Sequence, residues 1–287
     1  MDALTLTPLL LLLAAVLGLW IHRGVWIAAL AAAVGMGYRT GALHDFAALW
    51  IALAASFAWL YSEVRSRVRS AAGRLLQAVV GLLFLLIAIA LFVPLLPGFT
   101  RVQLVPAQVL SPGAAPYGLG VGFPKVVTGI LILGLINPVL SRQGLGTALI
   151  RALPIWLLTT VMVAAYALAM GYTAFAPKWT TLFLLWAPVN LLFTCLAEEA
   201  LFRGFVQHEL ATASKSSPAP LLGLLVAAAL FGLAHVAGGA TYVVAGLLAG
   251  IGYGWAFLRT GRIEASMAVH FGVNASQFLL FAYPRLL

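Results

Sequence analysis

Charge is what this 287-residue chain has least of: charged residues make up 8% of it, against 63% apolar. A soluble domain carries about 25% charged residues, so an aqueous globular fold is excluded. There is a single cysteine, Cys195, and no intramolecular disulfide can form. The only aspartates are Asp2 and Asp45, and Asp45 stands near the end of an apolar run, which excludes an intramembrane aspartyl pair. No H-E-x-x-H string occurs. The nearest, "HELAT" from His208, has Thr212 where a zincin needs its second histidine. No internal repeat is apparent, which counts against a transporter built from two related halves.

What is abundant is continuous apolar sequence, as in "LLQAVVGLLFLLIAIALFVPLL" from Leu75, with a mean hydropathy of +1.08. Such runs do not alternate as barrel strands do, and about 20 apolar residues span a bilayer as a helix. The expected fold is all-α, a polytopic transmembrane helix bundle of eight to ten spans. Candidate spans are 4–20, 24–38, 43–61, 75–97, 127–141, 153–172, 181–206, 219–237, 240–258 and 266–283. The second and fifth are short enough to be re-entrant or tilted. The beginning, "MDALTLTPLLLLLAAVLGLW", has no positive n-region and no cleavage site, and reads as a retained first span. Residues 98–126, rich in Pro and Gly, read as a surface loop.

The net charge of +9 would suggest nucleic acid in a soluble protein. Here the basic residues sit in short loops between apolar runs, where they act as topology signals facing anionic lipid. The expected partner is therefore membrane lipid and not nucleic acid. Arg65, Arg67, Arg69, Arg74, Arg142, Arg151, Lys215, Arg259 and Arg262 fall on one side; Arg101, Lys125, Lys178 and Arg285 fall on the other. The positive-inside rule puts 62–74, 207–218 and 259–265 in the cytoplasm. Thirteen Arg against three Lys points to a GC-rich source, and the expected location is a bacterial inner membrane.

Against this background "CLAEEALFRGF" (195–205) stands out. A charge at mid-membrane costs about 2.5–3.5 kcal/mol on insertion scales. Glu199 and Arg203 are i,i+4 neighbours on one helix face and can pair. Glu198 is rotated about 100° from Glu199 and has no i,i+4 base in the sequence, so it is the carboxylate expected to do chemistry. Downstream, "FGLAH" puts Phe231 and His235 at i,i+4, and "HFGVN" does the same for His270 and Asn274. Ser266 and Ser276 flank His270 on one helix, which is not a nucleophile–base arrangement. Cys195 reads as a small packing residue. The span limits raise one conflict. Glu198 would lie about 12 Å, and His235 about 24 Å, from the cytoplasmic ends of their helices, depths at which they cannot meet. The conflict is removed if the Glu198 helix continues towards His208, or if the 207–218 loop is less regular.

E-E-x-x-x-R (Glu198, Glu199, Arg203), F-x-x-x-H (Phe231, His235) and H-x-x-x-N (His270, Asn274) together resemble the three motifs of the CAAX protease and bacteriocin-processing family of intramembrane endopeptidases. The resemblance covers roughly 180–285. It divides the chain into an N-terminal transmembrane region, 1–150, of no recognised role, and a protease core, 151–287. It implies a glutamic mechanism: Glu198 activates water, His235 holds or polarises that water, and His270 and Asn274 stabilise the tetrahedral oxyanion. Glu199, Arg203 and Phe231 would order the site. A low-dielectric site raises carboxylate basicity, and an amide and an imidazole are suitable oxyanion donors. The implied substrate is a peptide or membrane-anchored protein, with no cofactor. Two alternatives remain. His235, His270 and Glu198 form a His₂Glu set that suits catalytic zinc. Intramembrane Glu and His also suit a proton-coupled transporter, and relatives include scaffold or immunity proteins.

Overall fold

The computed structural model describes residues 3–68, 70–93, 95–137, 143–213 and 218–287. Arg69, Arg142 and Lys215, counted above as loop charges, lie outside the described residues, as does the end of the 127–141 span. The chain is mostly helical, with little sheet. Its helices are α1 Ala3–Gly18, α2 Arg23–Thr40, α3 Ala47–Arg67, α4 Ala71–Phe92, α5 Phe123–Ile136, α6 Leu145–Ala169, α7 Leu182–Thr212, α8 Ala219–Leu233, α9 Ala240–Thr260 and α10 Ile263–Leu280. Of these, α3, α4, α6, α7 and α9 are long and apolar enough to cross a membrane, and three shorter apolar helices accompany them. Large apolar side chains point outward, including Leu75, Leu82 and Leu86 on α4 and Ile150, Leu158 and Val161 on α6. Outward apolar faces of this extent suit lipid and not water. The protein is an integral membrane protein.

Two compact units emerge: Met1–Val102 with Gly120–Pro138, and Gln103–Leu119 with Val139–Leu287. In the first, α1 packs on α2 and α3 on α4. Polar side chains close the helix starts, where N–H groups have no partner within the helix. His22 Nδ1 accepts from Gly24 N at 3.1 Å, and Ser70 Oγ accepts from Gly73 N at 3.1 Å. The segment expected as a plain loop contains a two-stranded sheet, β1 Val102–Gln108 and β2 Tyr117–Val121.

In the second unit Leu119 packs in one cluster with Trp186 of α7 and Phe278 of α10, with Tyr117 and Tyr283 against it. The strands were missed because Pro and Gly mask their alternation. Packing of α7, α8 and α9 depends on small residues. On α9, Gly246 abuts Gly232 of α8 and Gly250 abuts Ala228, so the two helices run antiparallel at close range. A Cβ on Gly250 would come within 3.0 Å of the Ala228 Cα. Small residues permit this approach, and dispersion rewards it where lipid offers no hydrophobic drive.

The seventh helix does not stop at 206. It runs on to Thr212, so His208 and Glu209 are helical and the connection to α8 is shorter than the 207–218 loop expected from sequence. Polar side chains there imitate a loop. The depth conflict disappears: at 1.5 Å per residue Glu198 lies about 21 Å from the Thr212 end, and His235 about 24 Å from the Ala219 end.

Gly252 on α9 has no room for a side chain, since an added Cβ would lie 2.1 Å from Thr159 Oγ1 of α6. Gly252→Val should therefore lower the melting temperature in detergent, by the about 1–3 kcal/mol typical of overpacking. Gly35→Ala, where nothing lies within 4 Å of the added Cβ, should not lower it. Equal melting temperatures for the two variants would contradict the α6–α9 packing.

Candidate active site

The two glutamates occupy a four-residue α-helical stretch, Leu196–Glu199, between two π-helical stretches, Asn190–Cys195 and Ala200–Gln207. π turns are rare and gather at functional sites. Each wide turn takes an extra residue and resets which side chains face inward. The phase therefore drifts from that of an unbroken α-helix along these stretches, although the Glu199–Arg203 spacing still brings the two together.

Glu199 is fully buried, and so is Arg203. Arg203 Nε stands 3.2 Å from Glu199 Oε2, the pair expected from the i,i+4 spacing. Two further groups meet the same carboxylate from α10. Ser266 Oγ donates to Oε2, and His270 Nδ1 lies 2.8 Å from Oε1. A carboxylate only accepts, so Nδ1 carries the hydrogen. Arg203 Nη2 also donates to the Gly250 carbonyl of α9 at 2.8 Å. Its guanidinium lies over the Phe231 ring at 4.9 Å and the Tyr253 ring at 5.4 Å. One turn on, Gln207 Nε2 donates to the Gly254 carbonyl at 2.9 Å.

Glu198 is not isolated, contrary to the reading from helical spacing. Its Oε2 is 3.6 Å from His270 Nε2, so one imidazole stands between two carboxylates. The Glu198 side chain keeps 12% of its surface accessible while that of Glu199 keeps none. The His270 ring is stacked on Tyr253 at 4.3 Å and meets Phe231 edge-on at 5.6 Å. Phe231 also touches the His235 ring at 4.7 Å, so its ring joins His235 of the second motif to His270 of the third. His235 Nδ1 is 2.7 Å from the Phe231 carbonyl, so it donates there and Nε2 is left as an acceptor.

Asn274 completes the face of α10 that carries Ser266 and His270. Its Nδ2 donates to Asn190 Oδ1 at 3.2 Å and lies 3.8 Å from Cys195 Sγ. The fold thus gathers Glu198, Glu199, Arg203, Phe231, His235 and His270 in one connected set, with Asn274 one turn along. Sequence reasoning missed Ser266, Asn190, Gln207 and Tyr253. The one available signal was Ser266, four residues before His270 and so on its face. Among the described residues, no three or more His, Cys, Asp or Glu side chains are grouped to hold a metal ion, and His235, His270 and Glu198 do not assemble as a three-donor set.

Residues 177–276 match the model of a family described as type II CAAX prenyl endopeptidase Rce1-like. This segment is similar to that family. It contains the whole carboxylate–imidazole network from Asn190 to Asn274, while the first unit lies outside the matched residues. No curated protein and no solved structure matches the chain at a significant level.

Breaking one partner of a buried ion pair leaves an uncompensated charge and costs about 3–5 kcal/mol. Arg203→Ala should lower the melting temperature markedly in detergent. Arg203→Met combined with Glu199→Gln should recover part of the loss, because neither charge is then stranded. An unchanged melting temperature for Arg203→Ala would mean that the pair is solvated.

Proposed function

We propose that the chain is an intramembrane endopeptidase that hydrolyses a peptide bond near the membrane with water activated by Glu198. The observation that carries this is the His270 imidazole set between Glu198 and Glu199 inside the Rce1-like segment. Glu198 and Glu199 bring two negative charges and Arg203 one positive. In a low-dielectric setting an unbalanced charge is costly, and the His270 ring stands beside both carboxylates, 3.6 Å from Glu198 Oε2 and 2.8 Å from Glu199 Oε1. Glu199, held by Ser266 and Arg203, keeps Nδ1–H of His270 fixed and so aims Nε2 at Glu198.

The chemistry follows. Water lies between Glu198 and His235 Nε2, which accepts one of its hydrogens. Its oxygen attacks the peptide carbonyl carbon as its proton passes to Glu198. The resulting oxyanion takes a hydrogen bond from the Asn274 N–H that otherwise meets only the weak acceptor Cys195 Sγ. The C–N bond then breaks, and the leaving amine takes the proton from the Glu198–His270 pair. The substrate is a peptide or membrane-anchored protein, the class that the match to a CAAX endopeptidase family implies. The zinc alternative would need His235, His270 and Glu198 to close on an ion from an arrangement in which they are not grouped, and chelation separates it from the metal-free reading.

Comparing membrane and secreted proteomes of wild type and Glu198→Gln provides the test. Glu198→Gln keeps the shape and removes the base, a change typically worth about 10²–10⁴-fold in rate. A set of uncleaved membrane-anchored precursors should accumulate, with folding intact. Cleavage of a verified substrate should continue in the presence of a zinc chelator. Wild-type turnover by Glu198→Gln would end the protease assignment, and loss of activity on chelation with recovery on zinc would favour the metal reading.

A further inference from the structure

An asparagine can serve an oxyanion only with its nitrogen end forward. The last torsion of an Asn side chain is broad and roughly two-fold, so a half turn exchanges the NH₂ group of Asn274 for its carbonyl oxygen. That oxygen is an acceptor only and would repel the negative charge that develops on the peptide. The helix that carries Asn274 does not choose between the two ends. The choice needs a partner from elsewhere, and α7 supplies one.

Asn274 Nδ2 donates to Asn190 Oδ1 at 3.2 Å, and the Cys195 thiol donates to the same oxygen at 3.3 Å. Two donors converge on one atom. An amide nitrogen in that place is itself only a donor and would leave both unmet. The pair of donors therefore fixes Asn190 oxygen-first, and Asn190 in turn fixes Asn274 nitrogen-first. The second N–H of Asn274 is left beside Cys195 Sγ, at 3.8 Å, a weak acceptor that gives way to a carbonyl oxygen. The π turn makes the convergence possible. Asn190 and Cys195 are the first and last residues of that stretch, in which Leu196 N bonds back to Leu191 O. On an α-helix residues five apart are separated by about 140° around the axis. The wider turn brings the two round to one side, where both meet α10. Cys195 is fully buried and Asn190 partly so. Asn190 belongs to none of the three sequence motifs.

We propose that Asn190 is a positioning residue: its side-chain oxygen, presented by the π turn of α7, holds the Asn274 amide with an N–H aimed at the oxyanion. This rests on the protease reading, with Asn274 as an oxyanion donor. Asn190 touches neither the attacking water nor the peptide, and no bond to it forms or breaks. It acts through Asn274 alone. Because the acceptor is in place before substrate arrives, the donor needs no reorientation as the carbonyl becomes an oxyanion, and such preorganisation is what makes an oxyanion donor effective.

A mutant cycle on the purified full chain in detergent tests this, with a membrane-anchored precursor that accumulates in Glu198→Gln cells as substrate. Asn190→Ala and Asn190→Leu both remove the acceptor but differ in volume, so a packing defect in one does not decide the result. Removing an oxyanion donor typically costs about 10²–10³-fold in kcat, and misaiming it should cost about tenfold or more, with KM within about twofold. Asn190→Asp keeps an acceptor oxygen for both donors and should hold kcat within about threefold. In an Asn274→Ala background, neither Asn190→Ala nor Asn190→Leu should slow turnover further, since no donor is left to aim. A residue that merely tied α7 to α10 would cost the same factor in both backgrounds. Wild-type kcat in Asn190→Ala and Asn190→Leu, an equal loss in Asn190→Asp, or an undiminished loss in the Asn274→Ala background would each overturn the proposal. If cleavage depends on Glu198 but not on Asn190, this proposal falls alone. If no precursor accumulates, or cleavage does not depend on Glu198, the protease reading falls and takes the proposal with it.

Discussion

The Glu199 carboxylate is the point on which the second unit depends. It is fully buried and receives Arg203 from its own helix and Ser266 and His270 from α10. Through Arg203 it is tied to the Gly250 carbonyl of α9. Three helices are thus fastened at one anion. In lipid the alternative to these bonds is an unsatisfied charge, which is why each is made. The tight packing follows from the same need. Side chains as short as Ser can reach Glu199 only if the helices approach closely, and a main-chain carbonyl on α9 is accessible to Arg203 only where glycine exposes it.

What was legible in the sequence was whatever was costly. Glu198, Glu199, Arg203, His235 and His270 could be found because ionisable groups have no business in apolar runs without a reason, and the helical spacing correctly joined Glu199 to Arg203. Asn274 was legible through its spacing from His270. The less costly residues were hidden. Ser266, Gln207 and Asn190 are ordinary in membrane helices, and their bonds run to elements distant in sequence. The partner of Glu198 was hidden for another reason. His270 lies in the last helix, and local spacing carries no information about it.

Boundaries failed where polarity and depth disagree. Gln207, His208, Glu209 and Thr212 read as a loop, yet they continue α7. Gln207 is buried because it has an acceptor on α9, and polar residues can belong to a span when a neighbouring helix satisfies them. The length of α7 beyond the apolar run is what carries the carboxylates to the depth of His235. The fold was legible at the level of ten helical segments, because runs of about 20 apolar residues have few other uses. The paired strands between 102 and 121 were not, since Pro106 and the glycines of Tyr117–Val121 carry turn chemistry in most settings.

The two bonds from α7 to α9, Arg203 to Gly250 and Gln207 to Gly254, advance together by four residues on both helices, so the helices run in the same direction and the bonds behave as teeth of a rack. Slipping α7 one tooth, about 5.4 Å, towards the C-terminal end of α9 would hand Arg203 the carbonyl of Gly254. It would also drive Gln207 onto Leu258, where the stripe of glycines ends. Slipping the other way would bring Arg203 to Gly246, a place already filled by the ring of His235. The rack therefore has a stop at each end and a single seat, and the distance between the carboxylates and the histidines is set by where the glycines begin and end.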